Sequence, residues 1–372
     1  MSLKTLVIIL AETRSSEITF ENIKTNLIDT LSADLCVCIG VKADYDYNNP
    51  FYKLAKYKFT MIEPEEYSEV WDKVFNLVSS KFSYEILENV NTMYNKDAKY
   101  VGNFDNLDTV SLMIDKEGSD DEYIYHTNLF QKEEWKNKLY SISSSTNDTF
   151  VRENDIITFK KPLNWREFIK IPEQFMGGVG HAGSGGILIY YRWLLYQNLI
   201  SNNIIENYDR FVITRSDFIY TLPHPSLDLM DGKHIWIPNE EHYGGYTDRH
   251  AILSKQNIES YLNILYKMIT KSNRYFMKMR ETDNWNLERL IKFHLREENK
   301  SIKEFPYIMY SVRGLNGTTR WQWGEYSEEH GYYIKYNTEY EKATYYKKMY
   351  LSRETLTFLD FYKEQINALN DI

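Results

Sequence analysis

An α/β fold built on a mixed, mostly parallel sheet flanked by helices is the architecture this sequence predicts, and three observations carry the expectation. Residues 3–11 form a continuous apolar run, the pattern of a strand buried on both faces of a parallel sheet. Phe20, Ile23, Leu27, Ile28 and Leu31 then recur at helical spacing. A second apolar run, Asp34–Val41, closes a βαβ unit at the start of the chain.

Further elements follow in order. Residues 59–62 suit a third strand, and Trp71, Val74, Phe75 and Val78 suit a helix after it. Between 83 and 168 the periodicity weakens. The charged stretch 115–122 and the serine-rich stretch 141–149 read as surface loops around two or three helices, an expected helical insertion. After Pro172 the pattern sharpens: a glycine-rich stretch, 177–186, leads into a helix with Ile187, Leu188, Tyr191, Leu194, Leu195 and Leu199 on its apolar face. A short strand at 211–213 ends on Thr214-Arg215-Ser216-Asp217, and 234–237 reads as another strand stopped by Pro238. Ser254 is expected to cap a helix carrying Ile258, Tyr261, Leu262, Leu265 and Ile269. Leu287, Leu290, Ile291 and Leu295 mark a further helix, and 302–310 is expected to form one last strand before a mostly helical or irregular tail. The organisation this implies is one domain over 1–310 with a C-terminal extension, 311–372, packed on it.

Composition narrows the function classes. Across 372 residues, 53 acidic side chains outnumber 44 basic ones for a net charge of −9, which argues against a nucleic acid partner because a phosphate-binding surface needs clustered cations. One small anion held by a few local groups remains compatible with that balance. The apolar stretch 6–11 is too short for a signal core or a membrane span, and no later segment reaches spanning length. A cytoplasmic location is therefore expected. Cys36 and Cys38 stand two apart in an apolar run, so both face the same side of a strand as buried thiols in a reducing compartment. The 32 tyrosines invite stacking on sugar rings, but a codon bias that also enriches Asn, Ile and Lys accounts for them more simply.

The chemistry centres on Asp217, just beyond the strand at 211–213. In open α/β sheets the ligand crevice lies outside the carboxyl ends of the strands. A carboxylate there can hold a hard divalent cation, which would bridge a diphosphate and take up charge on a leaving group. An isolated Asp at a strand end is more often a turn residue, so the neighbouring segments decide.

Those segments resemble glycosyltransferases of the GT-A fold, in particular families found in microbes and large viruses. The matching stretches are 6–14, Tyr190-Tyr191-Arg192-Trp193, 208–217, 235–238 and 243–249, spanning most of 3–310. The resemblance implies a GT-A-like catalytic domain over 1–310 and a UDP- or GDP-linked sugar donor. It also implies an oligosaccharide or glycoconjugate acceptor, and Mn²⁺ or Mg²⁺ as cofactor. Ala11, Glu12, Thr13 and Arg14 would line the nucleotide pocket, with Arg192 and Arg215 also on the donor, and Asp217 would hold metal or donor. The family's Asp-x-Asp motif reads Arg215-Ser216-Asp217 here. A cation replaces the first carboxylate, so metal dependence is open: Arg215 either neutralises diphosphate itself or pairs with a nearby carboxylate.

Other candidates each carry a plainer alternative. Ser184 and His181 are the polar groups of the glycine-rich stretch, which can approach a donor closely or simply connect two elements. If the reaction inverts the anomeric centre, a carboxylate must accept the acceptor's proton. Asp248 is the first choice, with Gly244 and Gly245 beside it at the acceptor and Glu240 and Glu241 behind it; a loop stabilised by local hydrogen bonds is the plainer reading. His330 falls where GT-A enzymes often place a third metal ligand, although 328–331 equally suits a surface turn. His294 lies on an apolar helical stripe and reads as core. Trp321, Trp323, Tyr326 and Tyr332 either cover an acceptor cleft or pack.

Two other functions compete. A sugar nucleotidyltransferase would show a basic glycine-rich loop after the first strand, where this chain has Glu12-Thr13-Arg14-Ser15-Ser16. A non-catalytic nucleotide- or glycan-binding protein would share the fold without turnover.

Overall fold

The apolar opening run becomes β1 (Thr5–Ala11), whose Leu6, Val7, Ile8 and Ile9 are wholly buried, as a strand covered on both faces must be. The computed structural model describes residues 3–63, 123–126, 150–153, 156–159, 184–270, 275, 278, 282, 285–314 and 324–371. Two compact units emerge: Met1–Glu63, Tyr191–Ile264 and Leu287–Ile372 form the first, and Pro64–Tyr190 with Leu265–Asn286 the second.

In the first unit, β1 leads through a helix, Ser16–Ile23, which widens into a π-helical segment at Lys24–Asp29. Then come β2 (Asp34–Val41), the short helix Pro50–Leu54 and β3 (Tyr57–Ile62). Cys36 and Cys38 are free and fully buried on β2, and burial pushes both thiols well up from their usual range, which leaves them unreactive. The second unit holds β4 (Tyr123–His126), β5 (Phe150–Glu153) and β6 (Ile156–Phe159), an antiparallel sheet ordered β4-β6-β5. These strands fall where the sequence suggested loops and helices; the helix expected around 71–78 and most of 83–168 lie outside the described residues. The helix after the glycine-rich stretch is present as Ser184–Ser201.

Back in the first unit follow β7 (Arg210–Thr214), β8 (Phe218–Tyr220), β9 (Ile235–Pro238), β10 (Ala251–Ser254), β11 (Ile302–Phe305), β12 (Met309–Arg313), β13 (Glu325–Ser327) and β14 (Tyr332–Ile334). The main sheet runs β11-β9-β10-β7-β1-β2-β3 and is parallel except at β10, which is antiparallel to both neighbours. The α/β class and the mixed, mostly parallel sheet flanked by helices are thus as the sequence predicts. From β1 the chain winds outward through β2 and β3, then returns to the other side of β1 at β7. A crevice opens at such a reversal, outside the carboxyl ends of the two strands.

Two expectations need correction. Ser254 does not cap a helix: it ends β10, donating its Oγ to the Gly232 carbonyl at 2.7 Å, and the helix starts only at Ile258. Nor is 302–310 one strand. Pro306, which has no N–H for a ladder, separates β11 in the main sheet from β12, which pairs with β8 and β14 in a second sheet ordered β13-β14-β12-β8. The tail is integral to this unit. The helix Phe358–Asn370 lies along β11, where the Asn370 amide bonds both the N–H and the carbonyl of Glu304.

His294 is core, as expected, with Nε2 2.6 Å from the Ser260 carbonyl. A second buried pair, His224 and His250, lies with ring centroids 5.5 Å apart and both rings against Phe305. Burial lowers His224 to about 4 and His250 well below the usual 6.5. Both are therefore neutral in the fold, while the unfolded chain binds their protons below about pH 6.5. Their stabilisation is full above that pH and is lost as pH falls towards 4, by about 3 kcal/mol for His224 alone. Urea midpoints measured from pH 7 down to pH 4 should fall, and less steeply in His224→Phe. A flat profile would contradict two neutral buried imidazoles.

Candidate functional site

Two turns meet at the strand reversal. The first follows β1 and holds two left-handed residues, Ala11 (φ 77°) and Ser15 (φ 56°), an uncommon backbone outside glycine. The second follows β7. Ser216 joins them: its Oγ donates to the carbonyls of Glu12 and Arg14 at 3.0 Å, and its own carbonyl accepts the Thr19 hydroxyl at 2.6 Å. Asp217 and the 11–14 turn, some two hundred residues apart in sequence, therefore share one edge of the sheet.

Asp217 is 1% exposed. Arg215 grips it as a fork, Nε to Oδ1 at 2.8 Å and Nη2 to Oδ2 at 2.7 Å, and Arg313 at the end of β12 donates Nη1 to the same Oδ2. Burial alone would raise this carboxyl, but Arg215 and then Arg313 outweigh it and hold it well below the usual carboxylate range. Arg14 lies within electrostatic reach of both Asp217 and Arg313, and pairs with Glu12. Lys335, 5% exposed with Nζ 4.6 Å from the Tyr336 ring centroid, completes the cluster. Burial, then the charges of Arg215 and Arg313, push its ammonium down to about 6. Arg313 is 1% exposed, and its Nε and Nη2 have no hydrogen-bond partner among the described residues. Orphaned buried donors of this kind mark a place for an unseen acceptor.

These donors do not fit a divalent cation. Both oxygens of the one central carboxylate are engaged by guanidinium groups, and the surroundings are cationic. Among the described residues no three His, Cys, Asp or Glu side chains converge as metal ligands. His330 is instead stacked on Tyr332 at 5.4 Å, with Nε2 3.2 Å from the Tyr340 hydroxyl.

Asp248 stands on the next loop, between β9 and β10. Glu240, Glu241, Tyr243 and Gly244 all take positive φ in this loop, and Gly245 is packed so closely that a Cβ would sit 1.9 Å from the Glu288 carbonyl. The contact, with Tyr246 N–H donating to that carbonyl at 2.9 Å, brings the loop against the first turn of the helix Leu287–Glu297. Glu288 is thereby placed near Asp248. Burial and then the Asp248 charge raise the Glu288 carboxyl to about 8, the behaviour of two carboxyls sharing a site.

Buried basic groups prop the loop. Arg192, 1% exposed, donates Nη2 to the Asp248 carbonyl at 3.0 Å and the Tyr261 hydroxyl at 3.1 Å. Arg249 lies between Glu339, Glu241 (3.3 Å) and Asp248 (3.8 Å). The other two acidic candidates have partners of their own: Glu240 pairs with Lys342 at 2.6 Å, and Glu241 with Arg249. The two clusters adjoin, since Asp248 and Arg249 both act electrostatically on Arg215.

Of the expected site residues, the structure thus brings together Ala11, Glu12, Thr13, Arg14, Arg215 and Asp217, with Thr13 fixed by the Tyr45 hydroxyl at 2.8 Å. Arg192, Gly244, Gly245 and Asp248 gather at the adjoining loop. Ser184 begins its helix in the second unit; its side chain, His181, Trp321 and Trp323 lie outside the described residues. Arg313, Lys335, Glu288 and Glu339 were missed. For Arg313 a signal existed, a charge ending the otherwise uncharged run 307–312.

No family model matches the chain, and no curated protein does. Among solved structures, the apo crystal structure of mouse xyloside xylosyltransferase 1 is similar over 81% of this chain and 84% of its own, at 7% identity and a TM-score of 0.33. At that level no residue role carries across. Among the described residues no helix is long and apolar enough to cross a membrane.

Proposed function

We propose that the protein transfers a sugar from a nucleoside-diphosphate donor to a hydroxyl acceptor. One observation carries the reading: a guanidinium cluster with unfilled donors adjoins a carboxyl, Glu288, raised by burial and by Asp248 at the strand reversal of an α/β sheet. Diphosphate leaving groups need positive charge where their own develops, and acceptor hydroxyls need a base poised near neutral pH. The resemblance of 6–14 and 208–217 to GT-A glycosyltransferases points to the same chemistry.

In this reading the turn 11–14 cradles the nucleotide, and Arg14, Arg215 and Arg313 face the diphosphate. The Asp248–Glu288 pair accepts the proton of the acceptor hydroxyl as its oxygen bonds the anomeric carbon and the bond from that carbon to the diphosphate breaks. Asp217 orients the arginines.

The test is turnover. Purified protein given a panel of UDP- and GDP-sugars should hydrolyse at least one slowly, and Asp248→Asn should lower that rate by about 10²-fold or more. Failure to bind or cleave any donor, with or without Mn²⁺, would leave the transferase reading without support and favour a non-catalytic binder only if a nucleotide still bound.

A further inference from the structure

We infer that this site holds the diphosphate of its ligand through guanidinium groups and Lys335, without a divalent cation. The inference rests on the nucleotide-sugar reading above and concerns how that same site neutralises its ligand.

Three observations lead there. The first is unsatisfied bonding: Arg313 is fixed by Asp217 and by the Val312 carbonyl at 2.7 Å, yet its Nε and Nη2 remain buried and unfilled among the described residues. A buried charged donor without an acceptor costs more than a neutral one, and an anion oxygen supplies the missing bonds in the fork geometry guanidinium favours. The second is charge. Among the described residues, three guanidinium groups, Arg14, Arg215 and Arg313, pair with two carboxylates, Glu12 and Asp217, while Asp248 acts on Arg215 from the adjoining loop. The surplus is positive, which attracts a diphosphate and repels Mn²⁺ or Mg²⁺. The third is the carboxylate itself. A cation reaching Asp217 would have to displace Arg215 from both oxygens and Arg313 from one, against further positive charge from Arg14. Lys335 adds an adjustable charge. Its ammonium, held down to about 6 in the free protein by burial and by neighbouring arginines, regains its proton when a bound anion offsets them.

Isothermal titration of UDP, GDP and inorganic pyrophosphate in EDTA and in Mn²⁺ tests this. At least one nucleotide and pyrophosphate should bind in EDTA, with a Kd that Mn²⁺ changes by less than about threefold. Arg215→Gln, at a side chain 23% exposed, should weaken binding in EDTA by about tenfold or more. The decisive variant is Asp217→Asn. If Asp217 serves only to orient the arginines, the variant still binds pyrophosphate in EDTA and Mn²⁺ adds nothing; if it holds a metal, binding is lost. Should Asp217→Asn fail to fold, Arg215→Gln decides, because a metal-bridged ligand would keep its Mn²⁺-dependent affinity. Binding seen only with Mn²⁺, or lost in a folded Asp217→Asn, overturns the inference and leaves the sugar-transfer reading standing. No binding in either medium overturns both.

Discussion

Asp217→Ala is expected to lower the unfolding free energy by about 3–5 kcal/mol, the cost of stripping a counter-charge from a buried ion pair. The side chain is 1% exposed and accepts from both Arg215 and Arg313. Its removal leaves Arg313 buried with no carboxylate and sets it beside Arg215 and Arg14, which already work against its charge. The loss should shrink when UDP or pyrophosphate is added, since a ligand at a hundredfold excess over its Kd returns about 2.7 kcal/mol. Urea midpoints with and without pyrophosphate read both effects. A loss below about 1 kcal/mol would mean that water, rather than Asp217, compensates these arginines.

Glu288→Gln should lower kcat by about 10²- to 10⁴-fold, the range for losing a positioned base, while leaving nucleotide affinity unchanged. The pH dependence is the sharper readout. The Glu288 carboxyl is raised to about 8 by burial and by Asp248, so kcat/KM of the parent should climb through that pH as Glu288 loses its proton. Glu288→Gln should lose the climb. Stability moves in the opposite sense. A carboxyl raised above its unfolded value stabilises the fold below the unfolded pKa, and that contribution is lost as pH rises through about 8. The glutamine variant, having no charge to bury, should therefore denature later than the parent above that pH. A variant with parental kcat and an unchanged pH profile would remove Glu288 from the chemistry.

Some of this was legible in the residues and some was not, for physical reasons. Strands buried on both faces write themselves as apolar runs, so β1, β2, β7 and β9 could be placed within a residue or two. β10 could not: Ala251–Ser254 is four residues long and adjoins a helical period, and short apolar runs do not declare their pairing. The turn at 11–14 and Asp217 were singled out by the family resemblance, and the fold sets them on one edge of the sheet through Ser216. Glu288 and Lys335 were not. One is an ordinary acidic residue in a helix's first turn and the other a lysine after a short strand; only the fold brings Asp248 to the one and Arg215 and Arg313 to the other. Arg215 posed two readings in sequence, phosphate partner or carboxylate partner, and the free protein shows the second.

The amide of Asn370 has a consequence for solubility. β11 ends the main sheet, and a terminal strand with free backbone groups invites another molecule to add its own strand. Donating to the Glu304 carbonyl at 2.8 Å and accepting its N–H at 3.1 Å, one side chain imitates the rung that an intruding strand would form. The last turns of the chain thus act as a guard against self-templated aggregation.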